Sequence, residues 1–187
     1  GGASNWSNGF LPAQYQGVKF GKGDKPIRDL FPAKEISQDE EESSRNLLKR
    51  LNKKHHERTQ LDDLLNARIR SYELAARMQL SVPQVTDLSA ENEKTKEMYG
   101  IGVDPTDDCG RRCLLGRRLL EQGVRFVQIF SGGPIGGNPR ASWDAHEDVK
   151  DNHGQEARRI DKPIAGLLAD LERRGMLDET LVLFTTE

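Results

Sequence analysis

The chain has 187 residues, of which 31% are charged, and its formal net charge is −2. This length is enough for one domain with a sizeable core, and no apolar run approaches the roughly 20 residues that span a bilayer. The near-neutral charge gives no overall attraction to nucleic acid, so we expect neither a transmembrane segment nor a nucleic-acid partner.

The first 42 residues are rich in Gly, Pro, Asn and Gln, which predicts irregular structure packed over another part of the protein. An acidic run then leads into a predicted helix that is capped by Ser43 or Ser44 and ends near His56. The strongest periodic signal follows over about 61–80, where apolar residues mostly recur at helical spacing.

Two further helices are predicted before residue 123. One runs from Ser89 to Tyr99 and ends at a glycine. The other begins at Asp107 or Asp108 and carries Cys109 and Cys113. A regular helix holds these two cysteines in poor geometry for a disulfide, so we expect small buried apolar residues, at least for Cys113.

Five basic pairs fall on predicted helices and have acidic residues nearby, which favours solvated helix faces. The pairs are Lys49-Arg50, Lys53-Lys54, Arg111-Arg112, Arg117-Arg118 and Arg173-Arg174.

The character of the sequence changes at Val124. Segments 124–130 and 180–185 are β-rich and mostly apolar, which is typical of buried strands. A helix is predicted between them over about 154–174, and Pro163 should kink or restart it. The order of a strand, a crossover that contains a helix, and a second strand indicates an α/β layer with parallel strands and flanking helices. We expect the remaining strands of that sheet to lie outside this chain.

We therefore expect residues 1–187 to be part of one larger α/β domain. Its parts would be an irregular packing segment (1–42), a helical region (43–122) and a strand-crossover-strand core (123–187). The chain opens in loop-like sequence and stops on a strand pattern, so we expect an internal segment whose N-terminus, with any export signal, is missing.

Ligands of open α/β sheets gather beyond the carboxyl ends of the strands. The loop after the first predicted strand carries Asp144 and His146, which point the same way in extended backbone. A carboxylate and an imidazole placed like this can ligate zinc, manganese or iron, and Glu187 at the second strand end adds an oxygen. The alternative is a polar loop in which Asp144 caps a helix and His146 is exposed.

Two weaker candidates lie in the same region. His153 is a candidate ligand or proton donor to a leaving group. Arg140 lies near the glycine-rich segment 131–137, whose backbone can cradle an anion or simply form a flexible crossover loop. No nucleophile stands out.

Seven short motifs, spread over the whole chain, resemble a known family in both sequence and order. They are Trp6–Pro12, Tyr15–Gly17, Ser71–Gln79, Gly110–Leu114, Gly123–Gln128, Trp143-Asp144-x-His146 and Asp161–Ile164. The family is an uncharacterised bacterial, sulfatase-like one, catalogued as a domain of unknown function (1501) and abundant in planctomycetes.

The resemblance implies a fold similar to the alkaline phosphatase and sulfatase superfamily and hydrolysis of sulfate or phosphate esters. Asp144 and His146 match the family's ligand candidates, and Glu187 matches the Glu that begins a Glu-Phe-Gly-Arg segment. The implied cofactor is a divalent ion such as zinc, manganese, calcium or magnesium. The implied substrate is a small-molecule or polysaccharide ester, and the implied location is extracytoplasmic, either periplasmic or secreted.

The sequence also departs from classical sulfatases. Segment 109–113 does not fit the Cys/Ser-x-Pro/Ala-x-Arg motif that supplies their nucleophile, so fold-level analogy does not establish the reaction. The leading hypothesis is a fragment of a metal-dependent hydrolase, itself inactive. The alternative is a non-catalytic exported protein that keeps the fold for binding, and a third is a helical binding module over residues 43–122.

Overall fold

The computed structural model describes residues 9–11, 17–21, 27, 36–57, 69, 82, 84–131, 143–145 and 147–185. The elements whose bounds fall within these residues are four α-helices and two 3-10 turns. The helices are α1 (Gln38–His56), α2 (Glu93–Met98), α3 (Asp107–Glu121) and α4 (Val149–Arg173), and the turns are Leu88–Ala90 and Leu177–Glu179. The chain divides into two compact units, Gly1–Gln84 and Val85–Glu187. No helix in the described ranges is long and apolar enough to cross a membrane.

Helix α1 belongs to the first unit and begins earlier than the sequence predicted. Its cap is Ser37, whose hydroxyl accepts from the amide of Glu40 at 3.3 Å, while Glu40 Oε2 accepts from the Ser37 amide at 3.0 Å. This reciprocal capping box satisfies two amide groups that the helix itself leaves unpaired. The acidic run therefore forms the first turn of α1, where the helix dipole favours carboxylates. The predicted end at His56 is confirmed.

The predicted helix over 61–80 lies almost entirely outside the described residues, although Ile69 is helical. The helix predicted over Ser89–Tyr99 is divided. A 3-10 turn covers Leu88–Ala90, and α2 begins only after Asn92, whose side chain accepts from the Thr95 amide at 2.8 Å. The stop at Gly100 is confirmed, with the glycine at φ +69°.

The core of the second unit is formed by Tyr99, Cys113 and Leu114, which are at most 2% exposed. Helices α3 and α4 pack on each other, and α2 packs on α4. The turn after α2 lies close to the α4 backbone because Gly166 carries no side chain. A Cβ atom there would lie 2.5 Å from the carbonyl oxygen of Met98. The core thus depends on a close helix–turn approach as well as on apolar side chains.

The α/β fold class that the sequence predicted is wrong: the described residues are helical and contain no strand. Segments 124–130 and 180–185 are non-helical, and neither forms a strand within the described part of the chain. Apolar side chains within them are exposed, with Phe126 at 80%, Leu181 at 83% and Phe184 at 70%. A β-rich composition indicates a strand only where a neighbour accepts the ladder hydrogen bonds and covers the side chains. Composition alone therefore misled the prediction of parallel strands.

Helix α4 is longer than predicted and passes through Pro163 without a break. A proline inside a helix loses one hydrogen bond and clashes with the preceding turn, at a cost of about 3 kcal/mol. Pro163 is fully buried, as are its helix neighbours Ile160 and Gly166. Burial of this face offsets the local cost, so the helix continues through Pro163 and the predicted restart is wrong.

The expectation that all basic pairs lie on solvated faces is wrong for Arg117, which is 1% exposed. Its guanidinium lies 2.7 Å from Glu91 Oε1, 2.6 Å from Glu121 Oε2 and 3.1 Å from Asp170 Oδ2. Asp170 also accepts from the hydroxyl of Tyr99 at 3.0 Å. We call these residues, with Arg173 and Arg174 that pair with Asp170, the buried ion network. The buried charges of this network lie next to charges of opposite sign, because an unpaired buried charge is costly. The network joins α3 to α4.

Candidate functional site

The candidate site lies where the chain enters α4. Of the residues that the sequence singled out, Asp144 and His153 are described here, whereas Arg140, His146 and Glu187 lie outside the described residues. Asp144 is exposed in a bend before α4, and His153 is partly buried in the second turn of that helix. The structure therefore places two of the five candidates on one short stretch of the molecule.

Trp143 positions this loop. Its indole N–H donates to the hydroxyl of Ser131 at 3.2 Å, which ties the loop to the end of segment 124–131. The same ring stands 5.7 Å from the ring of His153, centroid to centroid, at 52°. Ser131 follows Phe130, whose carbonyl accepts from Arg112 of α3 at 2.7 Å. The residue before Asp144 is thus connected to α3 through Ser131 and Phe130, and to α4 through His153.

His153 is bound to the residue that precedes Asp144. Its Nε2 lies 2.9 Å from the carbonyl oxygen of Trp143. A carbonyl oxygen only accepts, so Nε2 carries the proton, and in the neutral ring Nδ1 keeps its lone pair. No described residue hydrogen-bonds to Nδ1. Metal-ligating histidines typically donate their other ring N–H to a carbonyl or carboxylate, which fixes the tautomer, and His153 has this arrangement.

The start of α4 has an unusual cap. Asp148 stands in the left-handed region, with φ 47° and ψ 47°, and its side chain makes no capping hydrogen bond. The side-chain Nδ2 of Asn152 donates to the carbonyl oxygens of Glu147 at 2.7 Å and Asp148 at 3.3 Å. The first-turn N–H groups of α4 are therefore not covered by the cap residue, and helix N-termini of this kind bind anions.

Glu156, one turn beyond His153, is a residue that the sequence reasoning missed. It is 1% exposed, its Oε1 accepts from Arg159 at 2.5 Å, and its Oε2 has no hydrogen-bond partner among the described residues. The spacing His153-x-x-Glu156 puts both side chains on one helix face, and this signal was present in the sequence. The sequence contains no comparable signal for Trp143 and Ser131, because the hydrogen bond between them is a tertiary contact.

The described residues contain no group of three or more His, Cys, Asp and Glu side chains that could hold a metal ion. Of the three ligands that the resemblance implies, only Asp144 is described, and the weaker candidate His153 lies close to it in the sequence. Asp144 is a carboxylate and His153 an imidazole, and zinc and manganese accept both types of ligand.

A family model described as a protein of unknown function (DUF1501) matches residues 1–187. No curated protein and no solved structure matches the chain.

Proposed function

The chain belongs to the DUF1501 family of proteins of unknown function, and within that family we propose that it is part of a metal-dependent hydrolase of sulfate or phosphate esters. The observation that carries the proposal is the hydrogen bond from His153 to the carbonyl of Trp143, directly before Asp144. It fixes the tautomer of His153, which leaves Nδ1 unprotonated in the neutral ring, and the accepting carbonyl belongs to the residue directly before Asp144.

The ligands proposed from the sequence are Asp144, His146 and Glu187, with His153 as a weaker candidate that its hydrogen bond to the Trp143 carbonyl supports. Bound there, a divalent ion supplies Lewis acidity towards an ester oxygen and lowers the pKa of a coordinated water. His153 contributes a fixed tautomer, and Trp143 shields the ring on one side.

The charge distribution supports a cation at this place. Four carboxylates, at Asp144, Glu147, Asp148 and Asp151, fall within residues 144–151, against one basic residue, Lys150. All four are exposed at the start of α4. They repel an anionic ester that the helix N-terminus would otherwise attract. Anion binding here should therefore depend on a divalent cation that offsets the carboxylates.

The test compares Asp144→Asn with wild type in the protein as the cell makes it. We expect one divalent ion per chain by mass spectrometry of the metal, and turnover of 4-nitrophenyl sulfate or phosphate with zinc, manganese, calcium or magnesium. Asp144→Asn should lose both. The control Glu172→Gln removes an exposed carboxylate in the last turn of the same helix and should keep both. Equal metal content and equal turnover in the two variants would overturn the proposal.

A non-catalytic binding protein is the second candidate, favoured by the exposed apolar side chains of Phe126, Leu181, Leu183 and Phe184. Exposed apolar groups of this size are common at interaction surfaces. Metal bound through Asp144 without turnover of either ester class would select this candidate. Export of the protein also remains a prediction, which fractionation of cells into periplasm, medium and cytoplasm tests.

A further inference from the structure

The chain contains two cysteines, and the structure brings their sulfur atoms to 4.0 Å from each other on α3. Cys113 is 2% exposed within the core, next to Tyr99 and Leu114. Cys109 is partly exposed on the same helix face, one turn earlier. The burial predicted for Cys113 is confirmed, but the pair is not a simple apolar contact because one member reaches solvent.

The two thiols differ in acidity for physical reasons. Cys109 is the third residue of α3, where the helix N-terminus favours a thiolate. Its pKa is lowered by the hydrogen bond with Cys113 and by the Arg112 guanidinium, which together outweigh the opposing effects of burial and of the Asp108 carboxylate. The pKa of Cys113 is raised by the same hydrogen bond and by burial. One sulfur is therefore the better nucleophile, and its neighbour keeps its proton.

We propose that Cys109 and Cys113 are a redox-sensitive pair, in which a hydroperoxide oxidises Cys109 and Cys113 then closes an intrahelical disulfide. The Cys109 thiolate attacks the peroxide, the O–O bond breaks, and the alcohol leaves as Cys109 becomes a sulfenic acid. The Cys113 thiol attacks that sulfur, the S–O bond breaks, and water leaves with the thiol proton. In total, two thiols and one hydroperoxide give one disulfide, one alcohol and one water. The proposal is independent of the function assigned to the α4 site.

The disulfide requires the sulfur atoms to approach from 4.0 Å to about 2.05 Å. A regular helix resists this movement, but Cys109 lies in the first turn, where amide groups lack intrahelical acceptors. The cap residue Thr106 makes no side-chain capping bond to that turn. Cys113 is held by the core, so Cys109 is the residue that moves.

Closure of the disulfide should therefore loosen the first turn of α3. That turn holds the preceding loop through Asp107, which accepts from the Gly102 amide at 2.6 Å and from Arg111 at 3.0 Å. Oxidation would weaken these contacts while Cys113 and Leu114 stay in the core. The pair would thus connect the oxidation state to the loop between α2 and α3.

The test treats the reduced, full chain with equimolar hydrogen peroxide, followed by intact-mass analysis and non-reducing peptide mapping. We expect loss of two hydrogen atoms, an intrachain Cys109–Cys113 link, and faster hydrogen exchange at the start of α3, all reversed by dithiothreitol. Cys113→Ala should trap a sulfenic acid on Cys109 that reacts with dimedone. Cys109→Ser should leave Cys113 unlabelled, and its reaction with a thiol reagent should be at least ~10-fold slower than that of Cys109 in wild type.

Three results would overturn the proposal: sulfinic acid on Cys109 without a disulfide, disulfides only between chains, or equal labelling of both cysteines. Cys109→Ser changes a partly exposed side chain, so it keeps the test valid if Cys113→Ala fails to fold. Circular dichroism of each variant identifies that case.

Discussion

Substitution of Gly166 by alanine tests the helix–turn packing on which the second unit depends. Gly166 lies in the middle of α4, and a Cβ atom there would stand 2.5 Å from Met98 O, 3.0 Å from Met98 C and 3.2 Å from Tyr99 Cα. All three neighbours are backbone atoms, so no side-chain rotation relieves the contact. Either α4 or the turn after α2 must move.

Two effects of opposite sign determine the stability of this variant. Alanine improves helix propensity over glycine by about 1 kcal/mol, whereas overpacking a core contact costs about 1–3 kcal/mol. Because the contacting atoms are backbone atoms that no side-chain rotation moves, we expect overpacking to dominate and to lower the free energy of unfolding by up to about 2 kcal/mol. Gly154→Ala is the matched control, since it lies on the same helix and its Cβ meets nothing within 4 Å. It should raise stability by up to about 1 kcal/mol.

Urea unfolding followed by circular dichroism at the helix band measures both variants against wild type. The midpoints should move in opposite directions, with unchanged dependence on urea concentration. If Gly166→Ala were as stable as Gly154→Ala, α4 would not pack against Met98 and Tyr99 as described, and the helical architecture of the second unit would be wrong.

Two further predictions concern charge and capping. The pKa of Asp170 is lowered: burial alone would raise it, but hydrogen bonds from Arg173, Arg174 and Tyr99 outweigh burial. The unfolded state therefore binds the proton more readily, so this stability is present above about pH 4 and is lost as the pH falls through the folded pKa. Acid titration of unfolding should show that loss, and Asp170→Asn should flatten the pH dependence; an unchanged slope would contradict it. In α1, Ser37→Ala should cost about 1 kcal/mol of helix stability through the lost cap, with helical content by circular dichroism as the readout and Ser43→Ala as the control.

The elements that the sequence predicted correctly have local causes. Helix α3 begins at Asp107 and ends before Gly123 as expected, because acidic residues in the first turn and a following glycine are signals within the segment itself. The start of α1 was missed although Ser37 and Glu40 have the capping-box spacing. The sequence predicts that the acidic run precedes the helix, whereas it forms the first turn of α1. The bounds of α3 and the start of α1 both have local signals in the sequence, but only the bounds of α3 were predicted correctly.

Elements that depend on distant partners were not predictable in this way. Segments 124–130 and 180–185 have strand-like composition, but a strand also needs a paired neighbour, which composition does not specify. Arg117 looked like half of a solvated basic pair because Arg118 follows it. Its partners Glu91 and Asp170 are far away in the sequence. Asp170 approaches Arg117 when α4 packs on α3, and Glu91 approaches it when the 3-10 turn Leu88–Ala90 packs on α3.

The candidate site shows the same limitation in its contacts. Asp144 and His153 were each noticed for their side-chain chemistry, but what joins them is the carbonyl oxygen of Trp143. The loop is likewise tied to α3 through the carbonyl oxygen of Phe130, which accepts from Arg112. Every residue has a carbonyl, so an acceptor of this kind leaves no pattern in the sequence. Residue types can therefore suggest ligands, but the tautomer of His153, on which its proposed role as a ligand depends, follows only from the folded backbone.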